Sequence, residues 1–171
     1  MLSRRPLLVA LRVLVLCVFG LAVARAGLFT IYRVAGTSML DTLVDGDRIL
    51  VADAPWLVHP VDVGDTVVFE VEGEVLVKRV VAGPGDTVAL EDGRLWRNGE
   101  WIREEIPNRY AALDDMSVLE LEPFQYFVLG DNRAVSVDSR DFGPVREHQV
   151  IGRVVLRMSG EGFSTVSALT R

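Results

Sequence analysis

The sequence predicts a mostly β protein: an antiparallel β-sheet core, a small β lobe inserted into it, and one N-terminal transmembrane helix. Three observations predict this. Short runs rich in Val, Ile and aromatic residues recur after residue 33, bounded by Gly, Asp or Pro. The dipeptides Asp92-Gly93 and Asn98-Gly99 separate strand-like pieces in the middle of the chain, and such pairs accept the left-handed backbone of tight hairpins. Residues 7–24 form one apolar run interrupted only by Arg12, and no second run of that length follows.

The N-terminal run comes first. Eighteen residues of helix reach about 27 Å, close to the thickness of a bilayer core. Arg12 lies near the start of the run, where its head group can snorkel to the interface. Arg4 and Arg5 precede the run, so the positive-inside rule puts the N-terminus in the cytoplasm and the rest outside. The competing reading is a secretory signal cut at Ala24-Arg25-Ala26, and "SRRPLL" has a twin-arginine flavour. The length of the run, and the return of apolar residues in "GLFTIY", favour an uncleaved single-pass anchor in the cell membrane.

The strands follow in order. "DRILVAD" (47–53), "DTVVFEV" (65–71), "EVLVKRVVA" (74–82), "FQYFVLG" (124–130) and "VIGRVVLRM" (150–158) read as β. "VEGEV" turns a hairpin around Gly73, and residues 90–102 read as a β-meander. Residues 37–44 suit a short helical turn. Residues 107–123 read as polar and irregular, closing the lobe. The expected organisation is therefore a cytoplasmic stub and anchor at 1–32 and an extracytoplasmic β-domain at 33–158. That domain has its core in 33–85 and 124–158 and its lobe in 86–123. A loose tail covers 159–171.

Composition narrows the function. A length of 171 residues fits one domain, and half of them are apolar. Mean hydropathy is +0.29, high for a soluble domain of this size. A net charge of −6 argues against nucleic-acid binding, which relies on clustered basic residues. The single cysteine, Cys17, excludes a disulfide framework and a cysteine-based zinc site. In "GDNRAVSVDSRDFGPV" (130–145) the spacing of a calcium loop fails, because Arg133 and Val135 stand where oxygen ligands belong. The sequence thus calls for no metal and no cofactor.

One residue stands out against this background. The chain has 17 arginines and a single lysine, Lys78, set inside the apolar run "EVLVKRVVA". Arginine cannot lose its proton near neutral pH; lysine can when its surroundings disfavour the ammonium. Strand alternation puts Lys78 on a face with Leu76 and Val80, so desolvation can turn it into a general base. An edge lysine that snorkels into water is the ordinary alternative.

A base needs a nucleophile. "VAGTSMLDTLVDGD" (34–47) offers Ser38 in a tight segment after Gly36, where backbone amides can point at an oxyanion. A solvent-facing loop serine is the ordinary alternative. The elbow pattern G-x-S-x-G is absent, since Leu40 follows Met39, and neither His59 nor His148 sits in a triad setting. In the 130–145 cluster, Asp138 and Arg140 are close enough to pair, and Ser136 can hydrogen-bond an amine.

Together these stretches resemble the type I signal peptidases of the bacterial serine–lysine kind. "GTSMLDTLVDGD" resembles the family's nucleophile segment and "VGDTVVF" (63–69) its next strand. "VKRVVAGPGD" (77–86) resembles its lysine segment and "GDNRAVSVDSRDFGPV" its last segment. They occur in the family's order and span most of residues 34–158. The resemblance implies Ser38 as nucleophile and Lys78 as general base. It implies Ser136 as the residue that orients the amine and Asp138 with Arg140 as a supporting ion pair. Met39, Leu43, Leu76 and Val77 would line the pocket for small side chains, and the N–H of Ser38 would serve the oxyanion.

Two positions depart from the family's pattern. Gly36 stands where some members carry a second, hydroxyl donor to the oxyanion. Asp41 stands where a proline is usual, and a carboxylate beside Lys78 would raise its pKa.

The implied function is membrane-bound serine endopeptidase action on exported preproteins, removing signal peptides that carry small residues before the cleavage site. The implied partners are those preproteins and the lipid bilayer, with no nucleic acid. Two alternatives remain at this level: a specialised serine–lysine maturation protease of a secretion or conjugation system, and a non-catalytic anchored β-domain that binds peptides. A self-cleaving repressor is a weaker variant, because no helix-turn-helix precedes Ser38.

Overall fold

A computed structural model of the chain describes residues 9, 12–18, 20, 27–40, 42–53, 60–103, 115–160 and 162–166. Half of the predicted membrane span, residues 7–24, lies outside these residues, and Ala24-Arg25-Ala26, Asp41, His59 and residues 167–171 lie wholly outside them. Residues 9, 12–18 and 20 are helical, and among the described residues no helix is long and apolar enough to cross a membrane.

The β prediction holds. Strands β1 (Phe29–Arg33), β2 (Arg48–Ala52), β3 (Thr66–Val71) and β4 (Glu74–Ala82) lead the chain. The lobe contains β5 (Thr87–Glu91), β6 (Arg94–Arg97), β7 (Glu100–Trp101) and β8 (Met116–Glu120). The chain then returns through β9 (Gln125–Leu129), a one-turn helix α1 (Ser139–Phe142), β10 (Val145–Arg146), β11 (Val150–Ser159) and β12 (Gly162–Ser164).

The larger sheet runs β1-β2-β11-β3-β4-β9-β10 with β12 added beside β11, and the smaller runs β7-β6-β5-β8. The pairs described in both are antiparallel. Three hairpins turn on two residues, both with positive φ: Glu72-Gly73, Asp92-Gly93 and Asn98-Gly99. That is the backbone that matches the right-handed twist of the flanking strands, and glycine supplies half of it without a Cβ clash.

Four local expectations change. Residues 116–120 were expected to be irregular, yet they form β8. This strand pairs with β5 and packs Met116 and Leu119 on the lobe's core, a gain that appears only when a partner edge is present. Residues 29–33, mostly inside the segment assigned to the anchor, form β1 on the edge of β2. The tail contributes β12, which covers part of β11. Residues 37–40 and 42–44 make turns rather than a helix, with one α-type bond from Leu43 N–H to the Met39 carbonyl at 2.8 Å.

Three apolar clusters hold the layers together. One joins the lobe to β4 and β9 through Val81, Phe127 and Leu129. A second packs Met39, Leu43, Ile49, Val51 and Val68 beneath the 34–44 loop, and a third packs Val67, Phe69, Val80 and Val128 on the other side of β3 and β4. The site lies where the second and third clusters meet the uncovered edge of β4.

Candidate active site

Lys78 sits in the middle of β4. On one side β4 pairs with β3 along its length, with Val67 opposite Lys78. On the other side β9 begins pairing only at Arg79, so residues 74–78 keep an edge with no described strand against it. Lys78 is only 3% exposed, and Leu76 and Val80 pack into one apolar cluster, as strand alternation predicts. Its Nζ lies 2.7 Å from Ser38 Oγ, within hydrogen-bond reach.

Burial holds the Lys78 amine below its ordinary value of 10.5. The Asp138 carboxylate opposes this, the Arg140 guanidinium assists it, and Asp131 and Asp141 oppose it further. The counteracting negative charges thus come from the 130–145 segment; Asp41, which raised that concern in the sequence, lies outside the described residues. Desolvation outweighs them because the amine has few polar neighbours to replace water.

Ser38 is presented by a loop stitched to its own return. Val34 N–H donates to the Asp47 carbonyl at 2.8 Å, Gly46 N–H to the Val34 carbonyl at 2.9 Å, and Gly36 N–H to Asp45 Oδ1 at 2.9 Å. Gly36 has φ +89, which a side chain would resist. Met39 and Leu43 are fully buried beneath the loop with Ile49 and Val68. They hold the floor rather than reach the cleft.

The cleft itself is about 240 Å³. Leu76 and Val77 line it, Arg33 reaches it from the end of β1, and Tyr32, Val34, Ile49 and Val68 add to its apolar lining beside Ser38 and Lys78. These four apolar residues were not singled out in the sequence. Their signal was weak, because each is an ordinary apolar strand or loop position until the chain brings it to the edge of β4.

The 130–145 segment locks the two halves together. Asn132 N–H donates to the Ser38 carbonyl at 2.9 Å and Asn132 Nδ2 donates to the Thr37 carbonyl at 3.1 Å. Arg79 makes a buried fork with Asp131, Nε to Oδ1 at 2.9 Å and Nη2 to Oδ2 at 2.8 Å, and Thr42 donates to the same carboxylate. Asp138 is wholly buried, caps α1, accepts from Gly130 N–H at 2.9 Å and pairs with Arg140 at 2.8 Å, as predicted. Asn132, Asp131, Arg79 and Thr42 escaped the sequence reading as individual residues. Their signal was the dense "GDNR" and the arginine beside the only lysine.

One expected contact is not made. Ser136 Oγ is buried without a hydrogen-bond partner, and it stands against Gly130 rather than bonding the Lys78 amine. Lys78 already has Ser38 in reach, and the Ser136 side chain occupies the hollow that Gly130 leaves. His148 lies in a 3-10 turn (Glu147–Gln149) and does not line this cleft. Chemically, the arrangement is a desolvated primary amine beside a hydroxyl, facing a mostly apolar groove and a strand edge that is unpaired among the described residues. Such an amine can take the hydroxyl proton, and the groove can hold an extended peptide.

Comparisons with known proteins identify relatives of the chain. The profile of the family described as "Signal peptidase, peptidase S26" matches residues 7–159. The chain is 32% identical over 138 residues to Signal peptidase I V of Bacillus subtilis, covering 72% of this chain and 82% of that one. It is 35% identical over 150 residues to Signal peptidase I of Bacillus caldolyticus, covering 80% and 82%. It is 34% identical over 142 residues to the chloroplastic Thylakoidal processing peptidase 1 of Arabidopsis thaliana, covering 72% of this chain and 40% of that one.

Proposed function

The chain belongs to the signal peptidase, peptidase S26, family of serine endopeptidases that remove signal peptides, and on that premise we propose that Ser38 is its nucleophile and Lys78 its general base. The single observation that carries this assignment is the 2.7 Å approach of Lys78 Nζ to Ser38 Oγ at a site where burial disfavours the ammonium.

The substrate is an extended segment of an exported preprotein. It adds as a strand along residues 74–78, the uncovered edge of β4, and its small side chains enter the shallow cleft lined by Leu76 and Val77. Neutral Lys78 takes the proton of Ser38 Oγ as the oxygen attacks the scissile carbonyl. The N–H of Ser38 is available to the oxyanion; Gly36 contributes no hydroxyl. The tetrahedral intermediate collapses, the Lys78 ammonium returns its proton to the leaving amine, and an acyl ester of Ser38 remains. Water, losing a proton to the same amine, then attacks the ester and releases the signal peptide.

Asp138 and Arg140 brace the loop behind the amine, and Ser136 steadies it only by turning from Gly130 when substrate enters. The apolar run at 7–24 anchors the enzyme, with its N-terminus in the cytoplasm and the β-domain on the extracytoplasmic side of the cell membrane. Ser38 follows that run by about a dozen residues, which suits cleavage close to the bilayer surface.

The test is cleavage of a labelled preprotein by the reconstituted full chain. Ser38→Ala and Lys78→Arg are expected to lose at least about a thousandfold in rate, since each removes a member of the reacting pair. If Lys78→Arg cleaves as fast as the parent, the base assignment is wrong. A panel of preproteins separates a general peptidase from a dedicated one, and cleavage of a single member would support the dedicated reading.

A further inference from the structure

A second cleft, about 550 Å³, opens where the end of β1, the start of β2, the end of β11 and β12 come together. Its wall is one cross-strand row. Arg33 of β1 stands opposite Arg48 of β2, Arg48 opposite Met158 of β11, and Met158 opposite Phe163 of β12. Residues directly opposite in an antiparallel pair present their side chains on the same face. All four line the cleft, with Gly46, Asp47, Ser159, Gly160 and Gly162 as the rest of its lining; the Asp47 carboxylate is held by Arg157 at 2.6 Å.

The two arginines form an anomaly. Like charges directly opposite on neighbouring strands destabilise the pair unless something answers them. Both are exposed, and no ion pair or hydrogen bond from either side chain is found among the described residues. By contrast Arg79, Arg140, Arg153 and Arg157 each hold an aspartate. A chain with six more acidic than basic residues had carboxylates to spare for this position. The Arg33 guanidinium lies over Gly46, with Nη2 3.6 Å from where a Cβ would stand, an ordinary contact distance.

The next row inward, Ile31 opposite Leu50 and Leu50 opposite Leu156, is apolar, and Ile31 and Phe163 are among the most exposed large apolar residues described. Two guanidiniums beside an exposed apolar row match a ligand that has a phosphate at one end and hydrocarbon at the other.

We propose that the Arg33–Arg48 cleft binds a phosphate group, that of an anionic phospholipid headgroup whose acyl chains lie along Ile31 and Phe163. Guanidiniums recognise phosphate oxygens through paired N–H donors, so one phosphate between the two arginines turns their repulsion into a shared contact. Arg33 lines both this cleft and that of Ser38 and Lys78, whereas Arg48, Met158 and Phe163 line this one and not the other; phosphate binding here does not use the Ser38–Lys78 chemistry.

Native mass spectrometry of the full chain released from uncharged detergent tests the idea, with phosphatidylglycerol or inorganic phosphate as the added probe. The parent is expected to retain one phosphatidylglycerol, and R33Q/R48Q to lose at least about tenfold of that adduct, because both charge-assisted contacts go. R33K/R48K keeps the charge and should recover part of it. Arg48→Gln alone provides a partial loss should the double variant misfold by circular dichroism. An adduct with phosphate but none with the lipid keeps the phosphate site and removes the lipid as its source. Equal adducts in the parent and the glutamine variants, or none with either probe, would overturn the proposal.

Discussion

Arg79 and Asp131 form a buried two-point ion pair, with side chains 3% and 0% exposed, that fastens the strand of Lys78 to the loop after β9. Thr42 donates to the same carboxylate, so the loop carrying Ser38 is fixed at that point too. The short distance between amine and hydroxyl rests on this neighbouring pair, which itself touches neither reacting atom.

Asp131→Asn keeps the shape of the side chain and removes its charge, leaving Arg79 buried and uncompensated. Breaking a buried pair from one side costs roughly 3–5 kcal/mol. The expected outcome is a lower urea midpoint at an unchanged m-value, with Arg79→Met/Asp131→Leu less damaging than the sum of the single changes. An unchanged midpoint in Asp131→Asn would show that solvent reaches the pair.

The pH dependence follows from Lys78. Its folded value lies below 10.5, so kcat/KM should rise with pH through that lowered value and level off before 10.5. The stability effect has the opposite origin and a definite sign. Between the folded value and 10.5 the unfolded chain binds more protons, so stability increases with pH there, and the penalty is felt in full below the folded value. Lys78→Met removes the penalty. Its thermal midpoint should exceed the parent's at neutral pH, and the gap should narrow as pH approaches 10.5. A gap that widens with pH contradicts the direction of the shift.

Gly130 is the tightest point in the site. A Cβ there would meet Ser136 Oγ at 2.1 Å and the Ser38 carbonyl oxygen at 2.6 Å, so Gly130→Ala must push the Ser38 loop or the Ser136 segment aside. Overpacking of this kind costs about 1–3 kcal/mol, and the cleavage rate should fall with it. Gly83→Ala is the matched control, since nothing lies within 4 Å of its Cβ position. Calorimetry of both variants checks the contrast; equal midpoints would mean that the 130–136 loop yields without strain.

Ser136→Ala separates positioning from packing. The hydroxyl is buried and unpartnered, so its removal should leave stability unchanged or slightly raised. If Ser136 steadies the amine during the reaction, kcat should still fall, with KM little changed. Parent-level kcat in a stable Ser136→Ala protein would remove Ser136 from the mechanism.

Much of this molecule is legible in its sequence for local reasons. Hairpins at Glu72-Gly73, Asp92-Gly93 and Asn98-Gly99 follow from turn residues, and β2, β3, β4, β9 and β11 follow from β-branched runs, because both signals act within a few residues. β8 and β12 were not legible, because "MSVLE" and "GFS" become strands only against β5 and β11. The pairing of Asp138 with Arg140 was readable across two residues. The grip of Asp131 on Arg79 and Thr42 was not, because it spans 52 and 89 residues of separation.

The sequence by itself determined which groups are present: one lysine among arginines, set in an apolar strand, and a serine after a glycine. Composition and alternation reach that far because they are properties of neighbours in the chain. Only the tertiary structure decided that Lys78 lies 2.7 Å from Ser38, that β9 pairs with β4 only from Arg79 onward, and that Ser136 leans on Gly130. Those outcomes depend on register, burial and the competition of distant charges for one amine, and they exist only once the strands have met.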